Sequence, residues 1–141
     1  VSDVNASIDI DAPIDEVWAL VMDPRRLEDW VTIHRELVSS TDTTMKQVMT
    51  LRGAPFTVEW KLTESRPPAY AHWQGRGPAR SKAEIEYHLT ETRTGTRFDY
   101  RNHFSPPGGV VGAVASRALV GHTPEREAAA SLKQLKALLE S

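Results

Sequence analysis

Alternation of apolar and polar residues dominates this chain, and a helical spacing replaces it only near the start and towards the end. Val4, Ala6, Ile8 and Ile10 alternate with Asn5, Ser7 and Asp9, the period of a half-buried strand. Ile14, Val17, Trp18 and Val21 then fall at i, i+3, i+4 and i+7, one stripe of a short helix. Asp11 offers an N-cap oxygen for that helix, and Pro13 suits its first turn. Asp15 and Glu16 lie where the helix dipole favours negative charge. Asp23-Pro24 stops the helix and predicts a second short one through Asp29, leading into Trp30.

The middle of the chain predicts a meander of antiparallel strands. Positions 36–40 are short and weakly patterned, and 45–51 follow a turn at 41–44. Phe56, Val58, Trp60 and Leu62 alternate with Thr57, Glu59 and Lys61, the clearest strand of all. Arg66-Pro67-Pro68 must turn, because a proline forces the residue before it out of helical geometry. The next strand covers 70–75, where Gly75, Gly77 and Pro78 break it. Ala83, Ile85, Tyr87 and Leu89 share one face of a last hairpin; beyond its turn at 92–96, Phe98, Tyr100, Asn102 and Phe104 share that face too. Tyr87 opposite Tyr100 would set Glu86 against Arg101 and His88 against Asp99. Such pairs are worth roughly 0.2–1 kcal/mol each and tune the register of a solvated outer face.

Ser105-Pro106-Pro107-Gly108-Gly109 ends the sheet, and a long apolar stripe closes the chain over 110–139. Its first half is small-sided, with Val111, Val114, Ala115 and Ala118. Gly121 and Pro124 interrupt it, Thr123 can cap a restarted helix, and Ala128, Leu132, Leu135 and Leu139 carry the stripe onward. The predicted architecture is α+β: a curved antiparallel sheet around one long C-terminal helix, with two short helices after strand 1. Such a sheet and helix leave a hollow between them.

Large rings line the face that would look into that hollow. Trp30, Trp60 and Trp73 could each simply fill a core. With Tyr87, Phe98, Tyr100 and Phe104 they exceed what a thin sheet-on-helix core needs. The expected ligand contacts are these rings together with Val58, Ile85, Asn102, Val111, Val114, Ala115 and Ala118. Asn102 is the polar intruder between Tyr100 and Phe104, where an unpaired amide costs ~1–3 kcal/mol. It should bond a tyrosine hydroxyl, a buried water or a ligand carbonyl. Tyr100, Asn102 and Tyr87 are also the only weak candidates for catalysis. His34 is either a gate at the hollow's mouth or an ordinary loop histidine, and Gly108-Gly109 and Gly121 either let the helix move or only permit turns.

Composition narrows the partners. The 141 residues fit one domain, 1–141, with 40% hydrophobic and 26% charged residues, ordinary globular values. A net charge of −2, with seventeen Lys and Arg spread along the chain, argues against nucleic acid. No cysteine occurs, which removes disulfides and thiolate metal sites. The five histidines show no ligand spacing, so neither metal nor cofactor is expected. The first residues alternate and carry aspartates instead of an apolar leader, so no signal peptide is expected. No apolar run suggests membrane insertion. The expected setting is cytoplasmic, as a monomer or homodimer.

The order of elements resembles the START-like, or SRPBCC, superfamily (Bet v 1-like), and within it the polyketide cyclase/dehydrase and lipid-transport family. The residues that carry the likeness are Asp11-Ala12-Pro13-Ile14-Asp15-Glu16-Val17-Trp18, Asp23-Pro24-Arg25-Arg26-Leu27-Glu28-Asp29-Trp30, the Thr94-Gly95-Thr96 turn and the alanine-rich last helix. The resemblance implies a helix-grip fold, a seven-stranded antiparallel sheet gripping the C-terminal helix around a deep cavity. It implies an apolar small-molecule ligand, a lipid, polyketide or isoprenoid-like compound. Two rivals stay open: a cyclase or dehydratase working in the same cavity, and a chaperone-like protein-interaction module. Related aromatic polyketide cyclases use tyrosines and an arginine near the end of the strand holding Trp60. The position nearest to that arginine here is Glu64, with Arg66 two residues on. Binding without catalysis is therefore favoured over enzyme activity.

Overall fold

A computed structural model describes residues 2–51, 53–105 and 123–141. Seven strands form one antiparallel sheet in the order β1-β7-β6-β5-β4-β3-β2. They are β1 (Ser2–Ile10), β2 (His34–Ser40), β3 (Thr44–Leu51), β4 (Ala54–Arg66), β5 (Tyr70–Arg76), β6 (Lys82–Glu91) and β7 (Thr96–Ser105). The helices are α1 (Ile14–Val21), α2 (Leu27–Trp30) and α3 (Thr123–Glu140), with short 3-10 turns at Pro24–Arg26 and Pro78–Arg80. β2 to β7 form a simple meander, while β1 sits on the far side of β7. The link from β1 to β2 must therefore cross the whole sheet, and α1 and α2 make that crossing over one face. α3 lies against β1 and α2. The architecture is the α+β helix-grip arrangement of a curved seven-stranded sheet and a C-terminal helix. No described helix is long and apolar enough to cross a membrane.

The last hairpin takes the expected register, Tyr87 opposite Tyr100, Glu86 opposite Arg101 and His88 opposite Asp99. Its charges find other partners, however. Arg101 reaches Asp3 on β1 at 3.8 Å, Arg97 pairs with Asp99 at 3.1 Å along its own strand, and the Tyr70 hydroxyl donates to Glu86 at 3.1 Å. Edge-ward and same-strand geometry wins because these long side chains are exposed and unconstrained. The clearest expected strand is longer than its alternation, since β4 extends from Ala54 to Arg66. Gly75 does not break β5; it pairs with Trp60 inside the ladder.

Asp11 does not cap α1. The N-cap position falls on Pro13, with no side-chain cap, and the Asp11 backbone N–H donates instead to Glu140 Oε2 of α3 at 2.8 Å. Asp15 and Glu16 remain in the first turn, where their charge favours the dipole. Asp23 does cap the next turn, accepting from the Arg25 N–H at 3.0 Å. α3 covers the second half of the long stripe and buries Leu132 and Leu135. The first half, including Gly108, Gly109 and Gly121, lies outside the described residues.

Gly95 fixes how the β6–β7 turn meets the start of α1. A Cβ there would lie 2.1 Å from the Ile10 carbonyl oxygen and 2.8 Å from the Ala12 nitrogen. Beside it, fully buried Thr96 donates its hydroxyl to the Ala12 carbonyl at 2.8 Å. Only a residue without a side chain allows that approach, which anchors the crossover helices onto the sheet.

Candidate functional site

Between the sheet and the helices lies a pocket of about 410 Å³. Strand alternation decides which residues reach it. Val58 and Trp60 project from β4, Trp73 from β5, Ile85 and Tyr87 from β6, and Tyr100, Asn102 and Phe104 from β7; Trp30 enters from α2. The structure therefore brings together nine of the residues that the sequence singled out. Phe98 is the exception. It is fully buried beneath the pocket and does not line it. Trp30 and Tyr87 cover it edge-on, with ring centroids 6.2 and 5.3 Å away. The reason is position along β7: Phe98 lies opposite Ile8 and Leu89, where α1 closes the core, two residues short of the hollow. Val111, Val114, Ala115 and Ala118 lie outside the described residues.

β3 supplies a wall that the alternation of the other strands did not reveal. Met45, Gln47, Met49 and Leu51 all face the pocket, at the period-2 spacing that would have found them. From the helical side come Leu27 of α2 and Ala128, Ser131 and Leu132 of α3. Ser131 also accepts the Thr32 backbone N–H at 3.0 Å, tying α3 to the segment after α2.

Gln47 is the least expected member, a buried amide in an apolar wall. The Trp60 Nε1–H donates to its Oε1 at 2.9 Å, and its Nε2 lies 2.8 Å from His34 Nδ1. An indole nitrogen can only donate, so it fixes which end of the amide faces it. The amide nitrogen then donates to His34 Nδ1, which leaves the His34 proton on Nε2 and the ring neutral. Burial holds the His34 pKa below its ordinary 6.5, opposed by the nearby Glu28 carboxylate. His34 is thus neither an ordinary loop histidine nor a lining residue; it opens β2 and braces Gln47 from behind.

Trp60 is pinned from its other side as well. Its ring lies across Gly75, where a Cβ would meet three ring carbons at 2.5, 2.6 and 2.9 Å. The tyrosines form the opposite wall, with ring centroids 6.2 Å apart. Burial drives the Tyr87 hydroxyl far above its usual range and pushes Tyr100 up to about 12. A hydrogen bond from the Asn102 side chain opposes the rise at Tyr100. Asn102 Oδ1 is buried without a partner. Both tyrosines stay protonated at neutral pH, so each can donate a hydrogen bond and neither can serve as a base.

The cyclase arginine position is not rebuilt here. Glu64 and Arg66 pair with each other at 2.7 Å on the exposed end of β4, and the Arg66 guanidinium rests 4.6 Å over the Tyr70 ring. No arginine lines the pocket among the described residues. Nor do the described residues contain a group of three His, Asp or Glu arranged to hold a metal.

Residues 2–140 match the sequence model of the family described as polyketide cyclase / dehydrase and lipid transport. Toxin MT0934 and Toxin Rv0910, from two strains of Mycobacterium tuberculosis, are each 23% identical over 124 residues, covering 82% of this chain and 86% of theirs. Among solved structures, a conserved protein from Geobacillus kaustophilus superposes with a TM-score of 0.80 at 21% identity, covering 99% of this chain and 95% of that one. DynU16, a protein of the dynemicin biosynthetic locus, gives 0.69 at 17% identity, covering 100% of this chain and 48% of its own. At these identities the structural likenesses speak for the fold alone.

Proposed function

Because this chain belongs to the polyketide cyclase/dehydrase and lipid transport family, we propose that it binds and carries an apolar small molecule, of lipid, polyketide or isoprenoid type, between sheet and helices. The observation that carries this reading is the pocket itself. Its volume falls within the ~300–1,000 Å³ of small-molecule sites, and aromatic rings and methionines surround a few polar groups, of which Lys82 and Glu127 are the charged ones among the described residues. On this reading 1–141 is one binding domain, needs no cofactor and works in the cytoplasm.

A cyclase or dehydratase is the runner-up, favoured by one observation. Tyr87, Tyr100 and Asn102 adjoin one another across β6 and β7, so they could orient and polarise a carbonyl. They supply no base, which is why carriage ranks first. A protein-interaction module would need a sizeable exposed apolar patch. Among the described residues the exposed large hydrophobic side chain is Val38, alone on edge strand β2.

Native mass spectrometry of protein purified from its own host tests the reading. Bound mass that extraction releases as an intact apolar compound supports carriage, and released product formed from an added precursor supports the enzyme. A protein that arrives empty and does not take up the neutral probe N-phenyl-1-naphthylamine would overturn both.

A further inference from the structure

We infer that the pocket selects an uncharged ring compound bearing a carbonyl or hydroxyl oxygen, and that Gln47 is the residue that reads this oxygen. The inference rests on the binding reading above and narrows it to a chemical class.

The first argument is charge. Among the described lining residues only Lys82 and Glu127 are ionisable at neutral pH, apart from the protonated tyrosines. Lys82 is exposed at the start of β6, and the half-buried Glu127 receives the Thr32 hydroxyl. The described residues of the wall built from β3, β4 and β7 offer neutral polar groups alone, amides, hydroxyls and an indole N–H, among apolar side chains. A carboxylate or phosphate held against that wall would lose its water and find no cation among the described residues of β3, β4 and β7, which costs far more than an unmet neutral group.

The second argument is the amide. Gln47 interrupts the stripe Met45, Met49, Leu51, where apolar packing alone would favour a fourth hydrophobe. An amide offers two N–H donors and two acceptor lone pairs. Trp60 takes one lone pair and His34 takes one N–H, and together they lock the group's orientation. One N–H and one lone pair remain on a side chain that lines the pocket. That pair suits a carbonyl oxygen, or a hydroxyl that both accepts and donates. A locked donor loses little freedom on binding, so it discriminates better than a mobile one.

Three naphthalenes of similar size separate the alternatives: 2-acetonaphthone, 2-ethylnaphthalene and 2-naphthoate, each scored by displacement of N-phenyl-1-naphthylamine. In the wild-type protein the ketone should bind and the carboxylate should be weaker by at least about tenfold. In Gln47→Leu the preference for ketone over hydrocarbon should fall about tenfold, with the hydrocarbon's own affinity little changed. If Gln47→Leu does not fold, Gln47→Met, matching its neighbours, takes its place. Naphthoate binding as tightly as the ketone overturns the neutral class but leaves the pocket as a binding site. An undiminished ketone preference in the variant overturns the role of Gln47. Failure of the reporter and of all three naphthalenes to bind removes the binding reading itself.

Discussion

Replacing Gly75 by alanine isolates the contact that shapes the pocket wall. The added Cβ would lie 2.5, 2.6 and 2.9 Å from Trp60 Cζ3, Cε3 and Cη2, whereas carbon atoms settle at ~3.5–4.0 Å. The indole must shift by about 1 Å within a buried site, which disturbs the 2.9 Å hydrogen bond that holds it to the Gln47 oxygen. Overpacking of this kind costs ~1–3 kcal/mol. Against it stands a gain of ~0.4–1 kcal/mol, because alanine restricts the unfolded chain and the glycine is not in the left-handed region. The net expectation is a loss of about 1–2 kcal/mol. Urea unfolding followed by intrinsic fluorescence measures it, with a change in tryptophan emission reporting the displaced indole. In a Trp60→Leu background the same change should be neutral or stabilising, since the obstructing ring is gone. A Gly75→Ala protein as stable as the wild type, or an equal loss in both backgrounds, would refute the account of a ring held flat on the glycine.

Gly95→Ala should be harsher, a loss of at least about 2 kcal/mol by urea unfolding, because its Cβ meets main-chain atoms of Ile10 and Ala12 that cannot rotate away. Asn102→Leu should be neutral or slightly stabilising by urea unfolding, because the buried Oδ1 that it removes has no partner. A loss of about 1 kcal/mol or more in Asn102→Leu would contradict an unpaired oxygen there. For His34, burial lowers the folded pKa, so on acidification the unfolded chain binds the proton first. Its contribution is therefore fully present above about pH 6.5 and is lost as pH falls below that value and through the lowered folded pKa. Unfolding curves from pH 8 to 5 should show this loss in the wild type relative to His34→Asn, and a relative gain on acidification would contradict it.

Strand placement was legible because period-2 alternation and glycine–proline turns report directly on which side of a sheet is buried. The Tyr87–Tyr100 register, which the opposite charges on the hairpin's outer face made attractive as a supposition, is the one that it takes. Capping was read less well: Asp11 has the right side chain, but Pro13 occupies the N-cap two residues later, and a carboxylate from the far end of the chain takes the Asp11 N–H. That contact spans the whole sequence, so no local rule could contain it. Gly75 misled for a related reason. Glycine weakens a strand in isolation, yet here the facing indole fills the space that a side chain would have taken.

The site divides along the same line. Rings on the inward face were visible because they are both large and correctly phased, and most of them do line the pocket. Phe98 has the same phase but lies further along β7, where α1 has already closed over the sheet; phase fixes the side of a strand and says nothing of depth. Gln47 was hidden for the opposite reason, since an isolated glutamine in a strand looks like a solvent-facing residue. What makes it a buried one is the Trp60 N–H opposite and the His34 ring behind, brought together by pairing among β2, β3 and β4. An unpaired indole N–H in an apolar wall is costly; Trp30 Nε1 is buried without a partner, whereas Trp60 finds its acceptor in Gln47, whose remaining end is held by a neutral histidine. The buried amide on β3 is thus the counterpart of the indole that faces it from β4.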